Sequence, residues 1–166
     1  VAFPFEFFTE KGSDLAFHSQ LISSMGTEIS VALENLPVFM DTVMSIVHDD
    51  PIPCPLSVRY VRSSNQFLSF TRHGTTSATI EFPCPYDNFF IRRVPIVHDK
   101  IEQALNARSI PHTWHWGQSL PVNDQWVSKA YGSALQDWKT QRSLLLDAEG
   151  SIMFSNDMLR SLGMDD

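Results

Sequence analysis

The chain has 166 residues, of which 43% are hydrophobic and 19% charged, a composition typical of a globular domain rather than a disordered segment. That length fits one domain with a single core. The net charge of −7 comes without clustered Lys and Arg, which argues against a nucleic-acid partner. No apolar run approaches the roughly 18 residues that cross a bilayer, so we predict no membrane span.

The two cysteines, Cys54 and Cys84, are too few for a disulfide framework or a four-ligand zinc site. They can pair only if neighbouring strands bring them together. The alternative, two reduced thiols in a cytoplasmic protein, is favoured by the rarity of disulfides in that compartment. We therefore expect a cytoplasmic location.

The leading segment, residues 1–26, opens with four phenylalanines around Pro4, and we expect it to dock on another surface. Apolar residues at helical spacing then predict a short helix over residues 13–25, with Ser13 as N-cap and Gly26 at its end.

Residues 27–117 alternate between the two-residue period of strands and the three- and four-residue spacing of amphipathic helices. Their order, βαββαβ, is the split βαβ arrangement of ferredoxin-like folds, an α+β class with helices on one face of an antiparallel sheet. The predicted elements are a strand over 27–33, a helix over 36–47 with Asn35 as N-cap, strands over 56–62 and 78–82, a helix over 97–108 and a strand over 112–116.

Residues 118–166 complete the single domain with C-terminal helices. Trp126, Ala130, Ala134 and Trp138 recur at four-residue spacing, which predicts one long helix over 123–147. A last short helix is predicted over 156–162.

The helix-free face of the predicted sheet is polar, since alternation places Ser57, Arg59 and Glu81 on it. Exposure to solvent explains such residues in an antiparallel sheet, and a ligand-binding wall is the alternative. Arg59 is the main candidate because its guanidinium offers a planar fork of donors to a carboxylate, phosphate or oxyanion. The apolar side chains expected beneath the helices are Leu56, Val58, Tyr60, Ile80 and Phe82.

Residues 111–118 contain two histidines and two tryptophans. His112 and His115 are three residues apart, which sends them to opposite faces of a strand, so we predict no metal site. One of these histidines could act in acid-base chemistry; the alternative, which composition favours, is a histidine hydrogen-bonded in an aromatic core. No Gly-rich phosphate loop or G-x-S-x-G motif is present, so the chain lacks a complete catalytic apparatus of its own.

Four stretches resemble, in order and spacing, the aldonolactone oxidases (the D-arabinono-1,4-lactone oxidase type) and alditol oxidases. Residues 55–69 read PLSVRYVRSSNQFLS and resemble that group's P-V-E-V-R-F-x-x-A-D-D-x-x-L-S. Residues 28–39 resemble its E-x-E-Y-A-V-P-x-E strand, and residues 115–118 its R-P-H-W-G-K. Residues 138–162 resemble its R-x-x-L-D-P-x-G-x-F-L-N-x-Y-L terminus, so the likeness covers most of the chain.

The resemblance implies a vanillyl-alcohol-oxidase-like, FAD-linked oxidoreductase of which residues 1–166 form the C-terminal substrate-binding, or cap, domain. An FAD-binding domain of the same polypeptide would hold most of the cofactor. A small hydroxylated substrate such as a sugar lactone or polyol would lie between the domains and give a hydride to the flavin. The cap domain alone would not be active.

The resemblance also implies site residues. Arg59 matches the group's active-site arginine and His115 its histidine, so both are expected to be catalytic, with His112 as the alternative match. Asn156 matches an asparagine near the flavin and is expected to contact the cofactor. The residues expected to bind substrate are Ser57, Glu81, Trp116 and Gln118.

Two ionisable residues of the group are replaced, its glutamate by Ser57 and its lysine by Gln118. Loss of such charges removes several kcal/mol of electrostatic stabilisation on the scale of oxyanion-hole deletions. Either a different substrate is oxidised, with His115 or Glu81 in the acid-base role, or the fold serves as a non-catalytic ligand-binding or regulatory module.

Overall fold

The computed structural model describes residues 24–52, 55–85, 88–118 and 122–165. Within them, strands and helices alternate first and helices alone follow. The elements in chain order are β1 (Ser24–Ala32), a 3-10 helix (Leu33–Asn35), α1 (Leu36–Asp49), β2 (Ser57–Arg62), β3 (Thr76–Pro85), α2 (Asn88–Ala107), β4 (His112–Trp114), α3 (Asp124–Tyr131), α4 (Ser133–Leu145), α5 (Ala148–Met153) and α6 (Asp157–Ser161).

The sheet has the strand order β2-β3-β1-β4, and every neighbouring pair is antiparallel. β1 and β2 are joined through α1 with β3 between them, and β3 and β4 are joined through α2 with β1 between them. Both units are therefore split βαβ units, and the predicted ferredoxin-like α+β fold is confirmed.

The main hydrophobic core lies between the sheet and helices α1 and α2. β1 contributes Ile29 and Val31, and α1 contributes Phe39, all with no exposed surface. The rest of this core consists of Val43, Ile52, Ala78, Ile80, Phe82, Val94, Val97, Ile101, Leu105, Ile110 and Trp114.

Four of the five side chains predicted beneath the helices pack there, and Tyr60 does not. Ile80 and Phe82 are buried in the core, and Leu56 and Val58 pack against it. Tyr60 is 65% exposed, so that part of the prediction is wrong. The reason is that β2 is an edge strand, while the core gathers over the central strands β1 and β3.

β1 begins earlier than its alternation predicted, because its pairing with β3 continues to Ser24 opposite Pro85. The helix predicted over 13–25 is therefore wrong at its last two residues, and the rest of it lies outside the described residues. The leading aromatic segment and Cys54 also lie outside them, so neither the docking nor the cysteine pairing is tested.

Two predicted elements, the strand over 78–82 and the helix over 97–108, were too short because each was ended at a proline. β3 runs on through Pro83 because its pairing with β1 continues to Pro85, past Glu81, where its pairing with β2 ends. α2 begins at Asn88 rather than at residue 97 and contains Pro95 in its interior. Burial of Val94 in the core supports the added turns.

Asn35 stands at the N-cap position of α1, but its side chain makes no capping hydrogen bond. The 3-10 helix that precedes α1 already holds its backbone in a helical conformation.

The C-terminal part of the chain folds around a second cluster. Val127, Tyr131 and Leu135 are its buried centre, with Leu162 and Met164. The single helix predicted over 123–147 is two helices, α3 and α4, and α5 was not predicted at all. No helix among the described residues is long and apolar enough to cross a membrane.

Candidate functional site

The strand register gathers the predicted site residues of the sheet on its helix-free face. Ser57 of β2 lies opposite Glu81 of β3, and Glu81 lies opposite Glu28 of β1. Arg59 stands in the next row of this face, opposite Thr79. Three strands of alternating side chains thus bring two carboxylates and one guanidinium together.

Arg59 lies between the two carboxylates. Its Nη1 donates to Glu28 Oε1 at 3.5 Å, and its Nη2 donates to Glu81 Oε2. Thr79 Oγ1 also donates to Glu28 Oε1, at 2.6 Å. The Arg59 side chain is 52% exposed, against 4% for Glu28 and 17% for Glu81. We call Arg59, Glu28 and Glu81 the arginine cluster: two carboxylates at the sheet under a guanidinium that reaches solvent.

Gln118 joins the arginine cluster from the segment after β4. Its Nε2 donates to Glu81 Oε1 at 3.1 Å, which fixes the orientation of the amide. The amide lies against Gly26, where an added Cβ would come within 3.3 Å of Gln118 Cδ. Gln118 Oε1 is buried and has no hydrogen-bond partner among the described residues. A buried acceptor without a donor costs free energy in the folded protein.

His115 follows β4 directly, and its backbone N donates to Glu28 O at 2.9 Å. Its Nδ1 accepts from Gly117 N at 3.1 Å, which leaves Nε2 as the protonated nitrogen. The ring meets Phe70 edge to face at 4.5 Å. The backbone of His115 thus joins it to a strand of the arginine cluster, while its ring packs on Phe70.

Trp116 and Asn156 have their contacts elsewhere. Trp116 Nε1 donates to Leu68 O at 2.7 Å, and its ring stacks on Tyr131 at 5.3 Å in the second cluster. Asn156 caps α6, where its side chain accepts from Leu159 N at 2.9 Å. Packing and capping account for these contacts, and the substrate and cofactor roles of the two residues stay predictions.

The middle of the helix-free face is not exposed to solvent, because residues 63–75 cover its β1–β4 side. Thr113 Oγ1 donates to Phe70 O and therefore accepts from His73 Nε2 at 2.9 Å. Ser77 Oγ donates to His73 O at 3.1 Å. Burial, followed by the positive charges of His112 and Arg72, lowers the pKa of His73 from 6.5 to about 4. His73 is thus a neutral imidazole with Nδ1 as its acceptor.

A second polar group surrounds Glu102, on the helix side of β4. His112 Nε2 lies 2.6 Å from Glu102 Oε2, to which Trp114 Nε1 donates at 3.1 Å. Trp126 Nε1 and Asn106 Nδ2 donate to Oε1 at 3.0 and 2.8 Å. Burial raises the pKa of Glu102, but these hydrogen bonds and the His112 charge outweigh it and lower the pKa to about 2.

His112 therefore matches the prediction of a histidine hydrogen-bonded among aromatic side chains. Its Nδ1 lies 2.9 Å from Ile110 O, so both ring nitrogens face acceptors. The Trp126 ring lies 6.4 Å from the His112 ring. These contacts with the backbone and with the Glu102 carboxylate fix the orientation of the ring.

Sequence analysis missed Glu28, His73 and Glu102. Glu28 could have been predicted, because the ferredoxin-like strand order places β1 beside β3 and thus Glu28 beside Glu81. His73 lies in an irregular segment without periodicity, and Glu102 is reached by donors from three separate elements. Among the described residues, no three His, Cys, Asp or Glu side chains group in a way that would hold a metal ion.

Neither a known protein family nor a curated protein sequence matches this chain significantly.

Proposed function

We propose that this chain is the substrate-binding cap domain of an FAD-dependent oxidoreductase that oxidises a CH–OH group of a sugar lactone, polyol or similar hydroxylated substrate. The observation that carries the proposal is the arginine cluster on the helix-free face, at the position where the resemblance expects an active-site arginine. An FAD-binding domain of the same polypeptide would hold most of the cofactor. The cytoplasmic location is proposed on the cysteine content alone.

The donors and acceptors of this face suit a polar ligand such as a flavin edge or a polyhydroxylated molecule. Arg59 uses two of its five N–H groups on the two carboxylates, and half of its side chain is exposed. Gln118 Oε1 lacks a donor among the described residues but is buried, so the exposed N–H groups of Arg59 are the groups that this face presents. FAD, when bound, would supply the acceptor for the hydride, which no amino-acid side chain can supply.

The charge of the arginine cluster favours a hydroxyl substrate. Glu28 and Glu81 carry two negative charges against the single positive charge of Arg59, so one carboxylate charge stays uncompensated within the cluster. A substrate hydroxyl donates to a carboxylate, and a carboxylate can take the hydroxyl proton as the carbon loses its hydride. Arg59 would orient the oxygen and stabilise the charge that develops on it.

Glu81 provides a carboxylate where the resemblance expects one from β2. The related oxidases have a glutamate at the position of Ser57, and Glu81 lies directly opposite Ser57 in the register. Gln118, at the position of their lysine, still donates to Glu81, although as a neutral amide. We propose that Glu81 takes the acid-base role and that Ser57 leaves room for substrate beside it.

The test uses the polypeptide that carries the FAD-binding domain together with these residues. The purified protein is mixed anaerobically with galactono-1,4-lactone, with sorbitol, or with γ-butyrolactone, which lacks free hydroxyls, and the flavin absorbance is followed. We expect bleaching by a hydroxylated compound and none by γ-butyrolactone. A colourless protein, or flavin that no hydroxylated compound reduces, would contradict the proposal.

A non-catalytic ligand-binding or regulatory module is the second candidate. It is favoured by the mutual pairing of Arg59 with both carboxylates, which lowers the charge that any one of them offers to a reaction. If this candidate is right, a hydroxylated compound should bind saturably in the same experiment without any bleaching of flavin.

A further inference from the structure

A pocket of about 350 Å³ lies beside β4, the edge strand on the opposite side of the sheet from β2. α2 and α3 supply part of its lining, and His73 reaches it from the segment that covers the helix-free face. The residues that line it are His73, Glu102, Asn106, Ser109, Ile110, Pro111, His112, Trp126, Lys129 and Ala130.

Hydrogen bonds hold the rear wall of this pocket. Glu102 accepts from Trp126 and Asn106 on one oxygen and from Trp114 on the other, where His112 also binds. The indole of Trp126 is therefore fixed, and its ring offers a rigid apolar surface. A preorganised wall of this kind lowers the entropy that a ligand loses on binding.

Three lining side chains still offer groups to a ligand. Lys129 Nζ donates to Asn106 Oδ1 at 2.8 Å, its only hydrogen bond within the described part of the chain. The Nδ1 atom of His73 is an acceptor, because Nε2 donates to Thr113. Ser109 is exposed and has φ of 54°, a left-handed conformation that costs a residue with a side chain free energy.

The position of Ser109 is one where glycine is usual. Ile110 N donates to Leu105 O and Ser109 N to Asn106 O, which is the hydrogen-bond pattern that ends a helix with a left-handed residue. Serine at this position gives up backbone stability and places a hydroxyl at the mouth of the pocket.

The lining presents one ammonium group, that of Lys129, in a chain whose net charge is −7. The Glu102 carboxylate is engaged by its four hydrogen-bond partners, whereas Lys129 binds only the neutral amide of Asn106. The carbonyl end of α2 opposes it with about half a negative charge. A single ammonium against that partial charge suits a monoanion better than a dianion.

We propose that this pocket binds a small hydroxylated carboxylate of the size of a sugar acid. Its carboxylate pairs with Lys129, its hydroxyls bind Nδ1 of His73 and the hydroxyl of Ser109, and its C–H face lies on Trp126. The site is separate from the arginine cluster and does not depend on the proposed oxidoreductase function.

The test is calorimetric titration of the 166-residue chain with sodium gluconate. We expect saturable binding that Lys129→Met weakens at least about tenfold, the loss expected for one charge-assisted hydrogen bond. Lys139→Met is the matched control, because Lys139 does not line the pocket, and it should bind as the parent does. Arg59→Ala should also bind normally, which separates this site from the arginine cluster.

The variant Ser109→Gly tests whether Ser109 binds the ligand or has a structural role alone. Relief of the left-handed backbone should raise Tm by about 3 °C, while loss of the hydroxyl should weaken gluconate binding severalfold. No saturable binding of gluconate, equal binding by Lys129→Met, or equal affinity for sorbitol or inorganic phosphate would overturn the proposal. Unchanged affinity in Ser109→Gly would overturn the contact with Ser109.

Discussion

Glu102 accepts hydrogen bonds from side chains of α2, β4 and α3, and this one carboxylate connects the two hydrophobic clusters. Trp126 packs against both clusters and donates its indole N–H to Glu102. Buried donors that lose their acceptor pay the full cost of desolvation. The carboxylate is therefore a structural centre as well as the rear wall of the pocket.

Glu102→Gln should lower the free energy of unfolding by about 2 to 3 kcal/mol, because an amide cannot accept from all four groups and makes weaker hydrogen bonds than a carboxylate. Urea denaturation at neutral pH measures this change. Glu149→Gln, at an exposed carboxylate of α5, is the control and should stay within about 0.5 kcal/mol of the parent. Equal losses in both variants would show that the contacts of Glu102 add no stability beyond that of an exposed carboxylate.

His98 is 2% exposed and stays neutral, because burial lowers its pKa from 6.5 to about 4. The unfolded imidazole takes up a proton near pH 6.5 and the folded one only near pH 4. Stability is therefore full above pH 6.5 and falls as the pH drops toward 4, by about 3 kcal/mol for this one group. The pKa of His73 is lowered in the same direction, so His73 adds to the loss of stability as the pH falls.

His98→Leu should flatten the fall in unfolding free energy between pH 7 and pH 4, since leucine does not titrate. Denaturation at several pH values in that window gives the slope. His48→Gln removes a histidine from the exposed side of α1 and is measured beside it for comparison. If His98→Leu and the parent have the same slope, burial does not lower the pKa of His98 in the folded protein.

Among elements, the break between α3 and α4 depends on one residue. Gly132 has φ of 52° and ψ of −125°, a region that side-chain-bearing residues avoid, and it joins the two helices in place of the single predicted helix. An added Cβ there would meet no atom within 4 Å, so only the backbone opposes substitution.

Gly132→Ala should therefore lower the free energy of unfolding by about 1 to 2 kcal/mol through backbone strain alone. Thermal unfolding compares it with Ser133→Ala, a change at the exposed first residue of α4 that should cost little. A fully stable Gly132→Ala protein would mean that α3 and α4 can join as the continuous helix that the spacing of Trp126 and Trp138 predicts.

Local periodicity predicted the elements whose signals are short in range. The alternation at Val58 and Ile80 and the stripe through Phe39 and Val43 gave β2, β3 and α1 nearly in place. Periodicity failed where pairing with another strand sets the end of an element. Ser24, for example, is a strand residue only because Pro85 lies opposite it. A left-handed glycine inside an otherwise helical pattern leaves no periodic signal either.

The candidate site divides in the same way. Arg59, Glu81 and Ser57 could be placed on one face by counting along β2 and β3. Glu28 and Gln118 complete the arginine cluster only through the strand order, which is a property of the whole sheet. Neither the Glu102 network nor the pocket beside β4 follows from any single segment.

At the scale of the whole molecule, the sheet separates two polar sites. The arginine cluster lies on the helix-free face near β2, and the Glu102 pocket lies beside β4 at the other edge. The first has two carboxylates against one guanidinium, and the second presents the ammonium of Lys129. We therefore expect the two sites to bind ligands of different chemistry, a hydroxyl donor at the first and a carboxylate at the second.

Arg59→Ala in the FAD-containing polypeptide tests the central claim most directly, with anaerobic flavin reduction as the measurement. Arg62→Ala is the control, because Arg62 lies on the same strand at an odd separation and so on its opposite face. We predict that both variants keep their flavin, and that the hydroxylated substrate reduces the flavin of Arg62→Ala but not that of Arg59→Ala. Flavin reduction at the parent rate in Arg59→Ala would contradict the account.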